Sequence, residues 1–66
     1  MVTRNARIAD FTIDQNPALG RSVELLCEDH VGTYVLPFPC RFEEGAWLNA
    51  VTEEPLGIAV LGWRYL

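Results

Sequence analysis

The sequence has no lysine and only one histidine, and its basic residues are too few and too dispersed for a phosphate-binding surface. The chain has five arginines and nine acidic residues, so its formal net charge is −4 at pH 7. Proteins that bind nucleic acid neutralise phosphates with clustered lysines and arginines. The arginines here are scattered, at positions 4, 7, 21, 41 and 64. Nucleic-acid binding is therefore not expected.

A long apolar run is also missing. A helix that spans a bilayer needs about 20 predominantly apolar residues, and no stretch of this sequence approaches that length. The first residues run into Asp10 before any apolar block of the signal type. The sequence predicts no membrane partner, and the cytoplasm is the expected compartment. Cysteines are expected to stay reduced there.

The residues needed for catalysis are equally scarce. A cysteine nucleophile activated by His30 would also need a third group to orient the imidazole and a pocket for the oxyanion. The sequence contains no Ser-His-Asp arrangement, no phosphate-binding glycine loop and no dinucleotide fingerprint. We therefore expect a protein that is not an enzyme, with no catalytic residue and no cofactor.

Three residues, Cys27, His30 and Cys40, are the weak candidates for a metal or thiol site. Cys27 and His30 flank one predicted turn, and Cys40 could approach from the next strand. Structural zinc takes four ligands, and the fourth would be Glu28 or Asp29, an uncommon choice in closed sites. The favoured interpretation makes both cysteines small buried hydrophobic side chains. A disulfide between them and a metal site are the alternatives.

Half of the residues are hydrophobic, and the chain contains two tryptophans, two tyrosines and three phenylalanines. This composition is typical of a globular protein. Residues 1–66 are enough for a single domain and too few for two. Residues 1–7, which are mostly polar, are expected to be a loose, flexible lead-in. A domain this small buries only about 60% of the surface of its unfolded chain, so self-association or another protein partner is expected to add stability.

The apolar residues alternate over several short segments, as in half-buried strands. Residues 8–13 are predicted to form the first strand. Residues 17–27 fit either a short helix that starts after Asn16 or a turn at Gly20 followed by a strand over residues 22–28. We favour the strand, which places Val23, Leu25 and Cys27 on one face.

The later segments are read in the same way. Residues 33–38 form a strand that must bend or lie at an edge, because Pro37 and Pro39 lack amide donors. Residues 46–51 and 58–65 form the next two strands, separated by polar turns. Phe42 and Trp47 flank the polar turn at residues 43–45 and are assigned to the core. The predicted fold is all-β, an antiparallel meander of four to five strands that forms a curled sheet or an SH3-like open barrel. The alternative is α+β, with one helix at residues 17–27.

Several short motifs resemble those of small bacterial and phage-type proteins of unknown function. The motifs are Leu19-Gly20, Val23-Glu24-Leu25-Leu26, Gly45-Ala46-Trp47 and Val60-Leu61-Gly62-Trp63. The stretches Cys27-Glu28-Asp29-His30-Val31-Gly32-Thr33-Tyr34 and Leu36-Pro37-Phe38-Pro39-Cys40-Arg41 are similar to short bacterial proteins that end in Gly-Trp-Arg. The resemblance covers about three-quarters of the chain. It implies a small β domain and no biochemical role. The chain departs from the phage-type pattern after Trp63, where those proteins tend to have proline-rich tails.

The end of the chain supplies the candidate interaction residues, Trp63, Arg64 and Tyr65. These residue types are enriched at binding hot spots, although two aromatic side chains here would also suit the closing of a small barrel. The strand at residues 58–65 contains no proline and could add a partner strand or its own copy if it lies at an edge, with Trp63 and Tyr65 as anchors. The leading hypothesis is a non-enzymatic protein-interaction module. The alternative is a small metal- or thiol-dependent protein.

Overall fold

The computed structural model describes residues 4–66, which form one short helix and a five-stranded antiparallel sheet. The elements are α1 (Arg4–Ala9), β1 (Val23–Glu28), β2 (Thr33–Val35), β3 (Cys40–Glu43), β4 (Ala46–Asn49) and β5 (Ala59–Tyr65). The sheet curls without closing into a barrel. The all-β prediction is therefore confirmed.

Strand β1 lies at the centre of this sheet. It pairs with β5 along one edge, and with β2 and then β3 along the other. Consecutive strands pair in the β1–β2 and β3–β4 hairpins, as expected from the sequence. The last strand returns to β1 and does not pair with β4, so the sheet begins and ends on neighbouring strands.

The turns of the two hairpins follow from local residue chemistry. In the first turn, the Asp29 carboxylate accepts hydrogen bonds from the amides of Val31 (2.8 Å) and Gly32 (3.1 Å). In the second, Glu44 and Gly45 both have positive φ angles, 51° and 79°. This combination is the type I′ geometry, whose twist matches that of the flanking strands.

The main core lies on one face of the sheet. Alternation along β1 directs Val23, Leu25 and Cys27 to this face, where they are fully buried with Cys40 and the nearly buried Trp63. Partly buried side chains pack around this cluster: Tyr34, Leu36, Phe38, Trp47, Leu56 and Val60. The Trp47 ring also meets Phe42 edge to face, with 4.7 Å between the ring centroids. Of the two residues assigned to the core, Trp47 is partly buried and packs against the cluster, whereas Phe42 is partly buried and lies outside it.

The opposite face of the sheet is covered by residues 11–13. Leu26 is fully buried there and pairs with Gly62 of β5. A Cβ atom at Gly62 would lie 2.9 Å from the Phe11 Cβ and 3.0 Å from the Ile13 Cγ2. Glycine is required at this position because the covering segment approaches the β5 backbone so closely.

One prediction for the first third of the chain is wrong. Residues 8–13 do not form a strand: Ile8 and Ala9 belong to α1, and Thr12 alone of this segment bridges to the sheet. A short apolar alternation also fits a helical turn followed by a bend, and the contact with Gly62 decides between the two. Residues 4–7, expected to be loose, are helical, whereas residues 1–3 lie outside the described part.

The helix considered at residues 17–27 is not formed, so the α+β alternative is wrong. Gly20 has a φ angle of 80°, which is incompatible with an α-helix, and the strand starts at Val23. Strand β2 ends at Val35, before the two prolines that lack amide donors. The other predicted strands occur with slightly shorter bounds.

We expect Gly62→Ala to lower the free energy of unfolding by about 1–3 kcal/mol, because an added methyl group must displace Phe11 and Ile13. Gly57→Ala is the matched control, since nothing lies within 4 Å of a Cβ built there. Urea unfolding followed by tryptophan fluorescence measures both. Equal stability of the two variants would show that residues 11–13 do not cover Gly62 in solution.

Candidate functional site

The outer edge of β5 is the candidate site. Its inner edge pairs with β1 throughout, with a β-bulge at the level of Leu26 and Cys27. On the outer edge, the Trp63 amide donates to the Thr12 carbonyl (3.0 Å) and the Thr12 amide donates to the Trp63 carbonyl (2.7 Å). Thr12 is the single residue of the described chain that pairs with this outer edge.

The register shows which backbone groups of β5 face outward. The Leu25 carbonyl accepts a hydrogen bond from the Leu36 amide, so the backbone groups of Leu25 point toward β2 and away from β5. Because backbone direction alternates along a strand, the backbone groups of Cys27 also point away from β5. Val60 lies opposite Cys27 and therefore directs its own amide and carbonyl away from β1. Within residues 4–66, no backbone pairing occupies the outer edge at Val60.

A groove opens beside this unpaired stretch. The chain leaves the edge of β5 after Thr12 and turns under Trp63, whose indole Nε1 donates to the Gln15 carbonyl (2.7 Å). The space between residues 12–16 and residues 60–63, with Trp47 as a further wall, has a volume of about 170 Å³. Its lining is mixed, because Thr12 and Gln15 stand beside apolar side chains.

The three candidate interaction residues all have partners within the chain. Trp63 is 5% exposed and belongs to the main core. The Tyr65 hydroxyl accepts a hydrogen bond from the Ala18 amide (2.9 Å), and the Arg21 guanidinium lies 4.1 Å from the centre of the Tyr65 ring. The rings of Trp63 and Tyr65 meet edge to face at 4.9 Å. Both aromatic side chains thus hold residues 15–21 against the sheet.

Arg64 lies on the other face and fastens the covering segment. Its Nε forms an ion pair with the Glu24 carboxylate, and its guanidinium lies 4.4 Å from the centre of the Phe11 ring. Sequence reasoning missed that residues 11–18 would be the partner of β5. The available signal was Gly62, a glycine within an apolar strand, which often marks a close backbone approach.

Cys27 and Cys40 belong to the same core cluster, and His30 is not brought to them. Both cysteines are free and fully buried, whereas His30 is exposed in the first hairpin turn. Cys40 pairs with Val23, four residues before Cys27. At about 3.3 Å per residue the two cysteines lie roughly 13 Å apart along the strand, too far for a disulfide. In the described part of the chain, no three His, Cys, Asp or Glu side chains are placed to hold a metal.

The burial of the cysteines changes their acidity. Burial, and to a smaller extent the Cys40 thiol, raises the pKa of Cys27 to about 11. Burial also raises the pKa of Cys40. Because the thiolate is the reactive form, neither cysteine is activated as a nucleophile.

No protein-family model, curated protein or solved structure matches this chain. The resemblance to short bacterial and phage-type proteins therefore stays a prediction. Among the described residues, no helix has the length and apolarity to cross a membrane. The outer edge of β5 offers backbone hydrogen-bonding groups at Val60 and a groove beside them.

We expect the native thiols to be almost unreactive toward a disulfide reagent at pH 8, and both to react after unfolding in urea. The pKa of each thiol is higher in the folded chain than the ordinary value of 9.0. Deprotonation therefore favours the unfolded state, and stability should fall as the pH rises above about 9, through the Cys27 pKa of about 11. Cys27→Ala should make this loss shallower. Rapid labelling of the native protein would contradict the burial of the cysteines.

Proposed function

We propose that this chain is a non-enzymatic protein-interaction module that adds an extended segment to the outer edge of β5. The observation that carries the proposal is the edge itself, which in residues 4–66 is paired at Trp63 and open at Val60. An exposed strand edge presents unpaired amides and carbonyls that a further strand can satisfy. In this mode of recognition, backbone hydrogen bonds provide affinity and adjacent pockets provide specificity.

The pairing of Thr12 supports the same function. Thr12 forms an antiparallel bridge with Trp63 through two hydrogen bonds, so this edge already pairs with one extended residue of its own chain. The segment then leaves the edge, and an incoming strand would continue the pairing toward residues 59–61. Ile58, which is 38% exposed, would flank the added strand.

The distribution of reactive side chains supports a non-enzymatic role. The cysteines face the main core, away from solvent, and their raised pKa values disfavour the thiolate. His30 is exposed in the turn between β1 and β2, whereas both cysteines are buried in the main core. The groups at the open edge are suited to hydrogen bonding and packing.

The segment that adds to β5 comes either from a different protein or from a second copy of this chain. Antiparallel strands can pair about a two-fold axis, so one edge could serve both forms of recognition. Sedimentation over a range of concentrations distinguishes them.

We expect Val60→Pro to abolish partner binding, because proline removes the outward amide that a new strand would use. Val35→Pro is the matched control. Val35 pairs with Leu26, whose backbone groups face β5, so the Val35 amide points away from β1 at the outer edge of β2. Wild type and both variants are immobilised and challenged with lysate from the native cell. Partners should be retained by wild type and Val35→Pro and lost with Val60→Pro.

Thermal unfolding must show that both proline variants remain folded. Retention of the same partners by folded Val60→Pro would place the interaction elsewhere on the molecule. Monomeric wild type that retains no partner at all would remove the proposed function.

A further inference from the structure

We infer that the segment added to β5 is cationic, and that one of its lysine or arginine side chains enters the groove between residues 12–16 and residues 60–63. This inference rests on the proposed function and concerns the chemistry of the partner. It depends on three features of the described residues: the lining of the groove, the charge beside it and the space available for a second copy.

The groove suits a long amphipathic side chain. A cavity of about 150 Å³ can hold a benzene molecule, so about 170 Å³ is enough for one long side chain. Val60 and the Trp47 ring can pack along an apolar stem, while Thr12, Gln15 and Asn16 provide polar groups for its end. Lysine and arginine combine such a stem with a polar head, whereas a purely apolar side chain would leave the polar lining unsatisfied.

The charge beside the groove is negative. Asp10 and Asp14 lie two residues before and after Thr12, and both are exposed. Neither carboxylate has an ion-pair partner among the described residues. A cation on a strand next to this segment would meet two carboxylates that no ion pair within the described part of the chain neutralises.

Four arginine side chains, those of Arg7, Arg21, Arg41 and Arg64, form their contacts with groups other than these two carboxylates. Arg41 forms ion pairs with Glu43 and Glu53, and Arg64 forms one with Glu24. Arg21 stacks on Tyr65 and Arg7 donates to the Thr33 carbonyl (3.4 Å). These four side chains are committed to contacts within the sheet and its covering segments.

A second copy of this chain is a poorer occupant. Thr12 occupies the outer edge at Trp63, so two copies centred on Val60 could pair only over residues 58–62 before their covering segments met. Each copy also carries a formal charge of −4 and would bring its own Asp10 and Asp14 to the contact. A short pairing with like charges at both ends is unfavourable.

Two synthetic peptides test the inference, acetyl-(Lys-Val)₃-amide and acetyl-(Glu-Val)₃-amide, which share length and alternation and differ in charge. Each is titrated into the isotopically labelled protein while backbone amide shifts are followed by NMR. The lysine peptide should bind saturably, shift the Val60 amide and weaken with added salt. The glutamate peptide should not bind.

Matched variants separate the local charge from the overall charge. Asp14→Asn should weaken binding of the lysine peptide by about twofold to fivefold, the range measured for single exposed charge pairs. Glu44→Gln removes the same charge from an exposed turn outside this groove and should leave the affinity unchanged. Val60→Pro should abolish binding.

Four outcomes would overturn the inference. They are equal binding of the two peptides, equal effects of Asp14→Asn and Glu44→Gln, absence of binding by the lysine peptide, and wild-type self-association that Val60→Pro abolishes. The first and the last would leave strand addition at β5 standing with a different occupant. The retention experiment with Val60→Pro and Val35→Pro judges the proposed function independently of peptide charge.

Discussion

Strand β1 is hydrogen-bonded along both of its edges and buried on both of its faces, and the other elements are arranged around that constraint. Val23, Leu25 and Cys27 face one side of the sheet and Leu26 faces the other, all without exposed surface. A sheet buried on both faces normally has a layer of helices or a second sheet on each. In this chain, aromatic side chains of the curled sheet itself cover one face, and residues 11–13, which lie outside any strand, cover the other.

The thin cover on the second face explains the character of β5. Residues 11–13 can lie close to the sheet only because Gly62 has no side chain, and their backbone then reaches Trp63 and pairs with it. Residues 11–13 pair with β5 only through Thr12 and do not extend along the rest of its outer edge. One packing solution therefore protects part of the strand edge and leaves the neighbouring part open. The packing of the domain and the strand addition proposed for β5 are linked through this segment.

The aromatic and arginine side chains at the end of the chain serve that same cover. Trp63 and Tyr65 fix residues 15–21, while Arg64 fixes Phe11. Their enrichment at binding hot spots in other proteins has a simple physical basis, since large amphipathic side chains fasten one surface to another. Here the fastened surface is a segment of the same chain. Asp10 and Asp14 of the same stretch are exposed and form no ion pair with any side chain that the structure describes.

The strands from Val23 onward, the hairpin turns and the burial of the cysteines were predictable from the sequence, because alternation and turn chemistry act over a few neighbouring residues. The sequence also indicated an unprotected final strand at residues 58–65, which contains no proline. Three features were not predictable in this way: the pairing of β5 with β1, the end of α1 at Ile8 and Ala9, and the position of Thr12 at the edge of Trp63. These features depend on which distant segments cover the two faces of β1. A local pattern carries no information about that choice, because several segments of similar apolarity could compete for the same surface.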